Sequence, residues 1–199
     1  MFILNGAPRS GKTSIARAIQ SRFAGVWLNL GVDAWMKMTP ERDLPGIGLR
    51  PGGERPDLEP LVVQSYRGLY EAIAAQSRLG INVVADTGHH DDYSRPLGIL
   101  QDCARRLAGL PALFVGVRCS LEVIMARRNA EPSRSYYAAG EGVPAPVARW
   151  QEAVHQPGIY DLEVDTTGMS PEHCADAIAC LLHSVPNGGG AFERLAHGR

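Results

Sequence analysis

The order of apolar runs and amphipathic segments predicts an α/β fold, with a five-stranded, mainly parallel sheet covered by helices on both faces. Three observations carry this. Strand-like runs at Phe2–Leu4, Val26–Leu30, Ile81–Ala85, Ala112–Val117 and Asp161–Val164 alternate with helical patterns near 12–23, 59–79, 94–108, 120–130, 146–154 and 170–183. The runs are nearly all apolar, as expected when both faces of a sheet are buried. The first run leads into Gly6-Ala7-Pro8-Arg9-Ser10-Gly11-Lys12-Thr13, which fits the Walker A pattern GxxxxGK[ST], and then into an amphipathic segment from Ser14 to Phe23.

Strand, glycine loop and helix in that order is the context in which the pattern means phosphate binding. A helix N-terminus offers unpaired N–H groups and the positive end of its dipole to an anion. Gly6 and Gly11 let the backbone close around the phosphate, Lys12 reaches the β- and γ-phosphates, and the Thr13 hydroxyl is a ligand for Mg²⁺. The candidate nucleotide-binding residues are therefore Gly6, Ala7, Pro8, Arg9, Ser10, Gly11, Lys12, Thr13 and Ser14, with ATP and Mg²⁺ as cofactors.

Asp33 follows the second strand in Leu30-Gly31-Val32-Asp33. Ligands of an open α/β sheet bind beyond the carboxyl ends of its strands, so Asp33 is placed to take a proton from an attacking hydroxyl. A helix N-cap before Ala34-Trp35-Met36 is the competing reading. Residues 39–60, rich in proline and glycine, are expected as a substrate loop. Asp86 follows Val83-Val84-Ala85 at the end of the third strand, where a carboxylate holds Mg²⁺ directly or through water; turn chemistry in Asp86-Thr87-Gly88 is the alternative.

His89-His90-Asp91-Asp92 places adjacent ligands on one loop, with no third histidine at ligand spacing, so it is expected to line a substrate pocket rather than bind zinc. Arg118, Arg127, Arg128 and Arg134 follow the fourth strand and can clamp phosphates, or lie on a solvated helix face. Residues 131–146, with Pro132, Gly140, Gly142, Pro144 and Pro146, read as part of a lid spanning about 127–146. Tyr136-Tyr137, Trp150 and Tyr160 either pack over adenine or fill the core. The main domain is expected over 1–185, and the stretch 186–199, with Gly188-Gly189-Gly190, is expected to fray.

Composition narrows the class. At 199 residues and a net charge of −1, the chain gives no basis for a nucleic-acid or membrane partner. Lys12 is one of only two lysines, the other being Lys37, and a compact point charge suits phosphate. Cys103, Cys119, Cys174 and Cys180 form no CxxC pair, so reduced, largely buried thiols are expected. With a strand at its N-terminus and no apolar run approaching about 20 residues, the chain is expected to be cytoplasmic.

Taken together, Gly6–Thr13, Gly31-Val32-Asp33, Gly116-Val117-Arg118-Cys119 and Tyr160-Asp161-Leu162-Glu163-Val164-Asp165-Thr166-Thr167 resemble the chloramphenicol phosphotransferase family, in order from Phe2 to about Leu182. The Gly-Val-Arg-Cys and Glu-Val-Asp-Thr-Thr strings are specific to that group among P-loop kinases. Val154-His155, with Tyr160-Asp161 five residues on, also matches its spacing. The resemblance implies an adenylate-kinase-like, three-layer P-loop fold with an arginine-bearing lid. It further implies ATP-dependent phosphorylation of a hydroxyl on an antibiotic-like small molecule, for resistance or self-protection.

It places the catalytic base on Asp33, the P-loop lysine and hydroxyl on Lys12 and Thr13, and catalytic lid arginines on Arg127 and Arg134, of which Arg127 also meets the nucleotide. His155 falls on a family histidine of no stated role. Glu131 stands where the pattern has a third lid arginine, and 39–60 and Thr87–Tyr93 match the pattern least. A zeta-toxin-like sugar-nucleotide kinase and a nucleotide-binding switch acting through a protein partner are the alternatives.

Overall fold

Alternating apolar side chains along the strands divide the core in two. A computed structural model describes residues 1–130, 142–182 and 190–198. Its sheet contains β1 (Phe2–Asn5), β2 (Trp27–Asn29), β3 (Asn82–Thr87), β4 (Leu113–Arg118) and β5 (Leu162–Asp165), in the order β2-β3-β1-β4-β5 with every pairing parallel. Five parallel strands match the expected α/β class.

Successive strand side chains point to opposite faces. Phe2, Leu4, Val84, Val115 and Val117 meet Ile15, Ile19, Cys174 and Ile178 on one side. Ile3, Val83, Ala85 and Phe114 meet Tyr66, Leu69, Tyr70 and Ile73 on the other. The first side is covered by α1 (Lys12–Arg22) and α7 (Pro171–Leu181), the second by α3 (Glu59–Arg78) and α4 (Ile99–Arg106).

Helix ends follow local chemistry. Gly11 precedes α1, so the P-loop ends as the helix begins. Ser170 caps α7 by accepting from the His173 N–H at 3.2 Å, with Pro171 in the first turn. The helix expected over 94–108 shortens to α4. Pro96 disfavours helix before it, and Asp91 Oδ1 accepts from the N–H groups of Leu97 and Gly98 at 2.7 and 3.0 Å. A short helix, α2 (Val32–Met38), follows β2 directly. α5 (Leu121–Ala130) and α6 (Ala145–Ala153) flank the segment expected to be the lid. Residues 131–141 of that segment, including Glu131, Arg134, Tyr136 and Tyr137, lie outside the described residues.

Two expectations need correction. The 39–60 stretch is not loop throughout: it makes two 3₁₀ turns, Glu41–Asp43 and Gly46–Gly48, and sends Ile47 and Leu49 into the core before α3 starts at Glu59. The frayed tail does not hold for residues 190–198, which carry α8 (Ala191–Ala196). Phe192 packs 4.9 Å from Phe114 and 6.4 Å from Tyr70 between ring centroids, and Asp161 Oδ1 accepts from the Ala191 N–H at 2.7 Å. The glycines ahead of α8 masked a three-residue Phe192–Leu195 spacing that is enough to dock one short helix.

All four cysteines are free, with Cys103, Cys119 and Cys174 buried and Cys180 exposed. No described helix is long and apolar enough to cross a membrane.

Because Phe192 is 5% exposed, Phe192→Ala should destabilise the protein by about 3 kcal/mol in urea denaturation. A change under about 0.5 kcal/mol, the range of an ordinary surface substitution, would show that α8 does not hold this position in solution.

Candidate active site

The carboxyl ends of β1, β2 and β3 bring the predicted polar residues together. Asp86 lies inside β3 and is buried, and its Oδ2 accepts from the Thr13 hydroxyl at 2.8 Å. Turn chemistry is therefore not its role. The Thr13–Asp86 pair is an all-oxygen donor set of the kind that holds Mg²⁺, which keeps most of its shell for water and phosphate oxygens. Among the described residues there is no cluster of three or more His, Cys, Asp or Glu able to hold a metal.

Asp33 is the second residue of α2, and Gly31 is the N-cap. The capping alternative thus fails. The Asp33 side chain is exposed and hydrogen-bonds to no described residue, yet its pKa is raised, first by partial desolvation and then by the nearby Asp86 carboxylate. Lys12 and Lys37 oppose that rise.

Gly31 makes the arrangement possible: a Cβ there would lie 1.5 Å from Asp86 Oδ1. The glycine two residues before Asp33 is a space requirement of Asp86.

Lys12 Nζ donates to the carbonyls of Gly6 and Ala7 at 2.7 and 2.8 Å. Desolvation lowers its pKa to about 8, with Asp86 and Asp33 acting in the opposite direction. Arg9 has a φ of 69°, the one positive value for a residue other than glycine among those described.

That turn is braced from behind. The Arg127 guanidinium donates to the Arg9 carbonyl at 3.1 Å, to Thr166 Oγ1 at 3.2 Å, to the Thr166 carbonyl at 2.9 Å and to Cys119 Sγ at 3.4 Å. Thr166 Oγ1 lies 2.7 Å from the Ser10 carbonyl. Arg127 thus frames the P-loop, and the Asp-Thr-Thr string supplies its other anchor.

The remaining candidates separate. Arg118 makes a two-pronged pair with Glu163 across β4 and β5, with both contacts at 3.0 Å, so it joins strands. Arg128 is buried.

His89 is buried against Tyr66, with its Nε2 2.8 Å from the Tyr70 hydroxyl and its pKa lowered by burial to about 3. His90 donates from Nε2 to the Leu49 carbonyl at 3.0 Å and packs against Tyr93 and Trp150. Burial lowers the pKa of His155 to about 4. Burial thus keeps all three histidines uncharged near neutral pH.

Sequence reasoning passed over Asn5. It ends β1 immediately before Gly6 and hydrogen-bonds to both neighbouring loops. An asparagine closing an otherwise apolar strand, just ahead of a P-loop, was the available signal. Tyr160 neither stands free for adenine nor serves only as core, because its hydroxyl joins this same network.

Known proteins resemble this chain in sequence and in fold. A protein of Mycobacterium tuberculosis provisionally named an O-phosphotransferase is 29% identical over 187 residues, covering 87% of this chain and 77% of its own. The Mycobacterium tuberculosis APS kinase, solved with AMPPNP and APS, superimposes with a TM-score of 0.62 at 16% identity over 92% of this chain and 96% of its own. The tunicamycin resistance protein of Deinococcus radiodurans gives 0.57 at 18% identity over 91% and 94%. These two structures share the α/β fold of P-loop kinases, and residues 1–183 match the family described as chloramphenicol phosphotransferase-like. A single family pattern thus spans the P-loop, the Asp86 strand and the Thr166 anchor, and the chain belongs to the chloramphenicol phosphotransferase-like family of small-molecule kinases.

Proposed function

We propose that the protein transfers the γ-phosphoryl group of Mg·ATP to a hydroxyl of an antibiotic-like small molecule, with Asp33 as general base and a role in resistance or self-protection. The observation that carries the reading is the Asp33 carboxylate: exposed, without a hydrogen-bond partner among the described residues, raised in pKa, and acted on by both Lys12 and Asp86. A carboxylate tied up in a cap or an ion pair has little basicity to offer; this one keeps its own.

Bound Mg²⁺ neutralises charge on the phosphate oxygens, and Thr13 and Asp86 would hold it. Lys12, released from the Gly6 and Ala7 carbonyls, supplies a positive charge to the phosphates, and the amides at the start of α1 supply donors. Phosphoryl transfer needs mainly positioning and charge stabilisation, and these groups offer both. The tunicamycin resistance protein among the structural neighbours is in keeping with an antibiotic acceptor.

The direct test is ADP release from Mg·ATP across a panel of hydroxylated antibiotics and sugar nucleotides, with product mass measured. Stimulation by one antibiotic and a gain of one phosphate supports the reading. Stimulation by a sugar nucleotide alone moves the acceptor to the zeta-toxin-like class, and no stimulation across the panel counts against it. Asp33→Asn should lower kcat by roughly 10²–10⁴-fold while ATP affinity stays within about twofold; equal loss of both would remove Asp33 from the base role.

Asp86→Asn should raise the Mg²⁺ concentration needed for half-maximal rate by about tenfold or more. An unchanged Mg²⁺ requirement would remove Asp86 from the metal site.

Lys12 sets a pH dependence. In the free protein it loses its proton near pH 8, and a bound phosphate raises that pKa. Binding therefore takes up a proton above pH 8 and none below it. The ATP Kd should be flat up to that point and then rise toward roughly tenfold per pH unit. Lys12→Arg, permanently charged, should show no such slope whatever its affinity. A flat wild-type profile through pH 9.5 would place the Lys12 pKa well above this value.

A further inference from the structure

The Asn5 side chain is oriented without ambiguity. Its Nδ2 donates to the Val154 carbonyl at 2.8 Å, and its Oδ1 accepts from the His89 N–H at 2.7 Å. A carbonyl cannot donate and an amide N–H cannot accept, so the amide cannot be flipped. Its second Nδ2 hydrogen goes to the Tyr160 hydroxyl oxygen at 3.0 Å. Tyr160 must then send its own proton elsewhere, and His155 Nδ1 lies 2.9 Å away. With its pKa lowered to about 4, His155 is neutral near pH 7 and has a ring nitrogen free to accept. The hydrogen-bond directions thus run from Asn5 to Tyr160 to His155, set at the start by two backbone groups.

The sheet is shaped for this chain. Gly116 in β4 is the register partner of Asn5, and a Cβ there would lie 2.8 Å from the Tyr160 ring. Only a residue without a side chain lets the ring lie over the strand and bring its hydroxyl to Asn5. Two family strings far apart in sequence, Gly116-Val117-Arg118-Cys119 and the one opening at Tyr160, therefore meet at one contact.

Asn5 also stands between the two halves of the site. It precedes Gly6, whose carbonyl receives Lys12, and Gly6 N–H donates to the Thr87 carbonyl at 3.3 Å. Its Oδ1 holds His89, three residues after Asp86.

We infer that Tyr160 and His155 are positioning residues for phosphoryl transfer, acting through Asn5 to hold the phosphate loop in register with the Thr87–His89 turn on the acceptor side. This rests on the kinase reading above. Neither residue supplies a phosphate ligand, so losing them leaves the P-loop amides and Lys12 in place but loosens the alignment of the two reacting groups. Misplacement by about 1 Å can cost roughly 10²-fold in rate.

The test uses the full chain with Tyr160→Phe, His155→Leu and His155→Asn, the last keeping an acceptor atom near the position of Nδ1. Tyr160→Phe and His155→Leu should each lower kcat by roughly 10- to 100-fold with the KM for ATP within about twofold, while His155→Asn recovers most of the rate. Unchanged kcat in Tyr160→Phe, a KM for ATP that rises in step with the fall in kcat, or equal impairment of the two His155 variants would each overturn the inference.

A second readout needs no acceptor. With Mg·AMPPNP bound, hydrogen exchange at the His89 amide should quicken by about tenfold in Tyr160→Phe and His155→Leu, and unchanged exchange in both overturns the proposal. If wild-type protein transfers phosphate to no acceptor, the kinase reading fails on its own, and the exchange measurement still decides this one.

Discussion

The site depends on where the Asp86 carboxylate is buried. It occupies space that any side chain at position 31 would need, and it accepts a hydrogen bond from Thr13 at the start of α1. The ends of β3, β2 and β1 are thereby pinned to one another at a single buried charge. A buried carboxylate persists only with partners, and Thr13 is the partner the P-loop supplies.

The electrostatics follow from that placement. Lys12 loses solvation, which lowers its pKa, while Asp86 and Asp33 pull the other way and hold it at about 8. Asp33 is raised first by partial desolvation and then by Asp86, while Lys12 and Lys37 lower it. The three groups form one coupled set, so no change to one leaves the other two alone. Desolvation, with Asp86 second, keeps the proposed base more basic than an ordinary aspartate. The charge on the loop would otherwise make it a weaker one.

Much of this was legible in the sequence because it depends on local pattern. GxxxxGK[ST] between an apolar run and a helix, an acid after Val83-Val84-Ala85, and an acid after the second strand each state their position relative to a strand end. What could not be read depends on contacts between distant segments. Arg127 looks like any lid arginine until Thr166 and Arg9 are seen beside it. Gly116 looks like a weak point in a strand until the Tyr160 ring is found across it. α8 was missed because the Gly-Gly-Gly ahead of it outweighed two apolar residues, although Phe192 packs against Phe114 at the centre of the sheet. Residue type and spacing reveal what a segment does by itself, and long-range hydrogen bonds and ring contacts are not properties of a segment.

The two stretches least like the family pattern are joined to each other. Gly52 N–H donates to the Asp92 carbonyl at 2.8 Å, and His90 donates to the Leu49 carbonyl at 3.0 Å. Buried Glu59 accepts from the Ser94 N–H and hydroxyl at 2.7 and 2.6 Å, which secures the far end of the same turn. Arg149 pairs with Asp92 from α6, an exposed contact worth at most about 1 kcal/mol that adds orientation more than stability. Only the Gly52–Asp92 bond is purely main-chain; the others need the side chains of His90, Glu59, Ser94, Asp92 and Arg149, so the joint depends on those residues. Around the P-loop, by contrast, Thr13 bonds directly to Asp86, Lys12 is held by the Gly6 and Ala7 carbonyls, and Asp33 meets Asp86 only through its charge. The phosphate-binding end states itself as motif spacing next to strand ends, whereas the joined loops exist only as contacts between distant segments, which is why the first is legible in the sequence and the second is not.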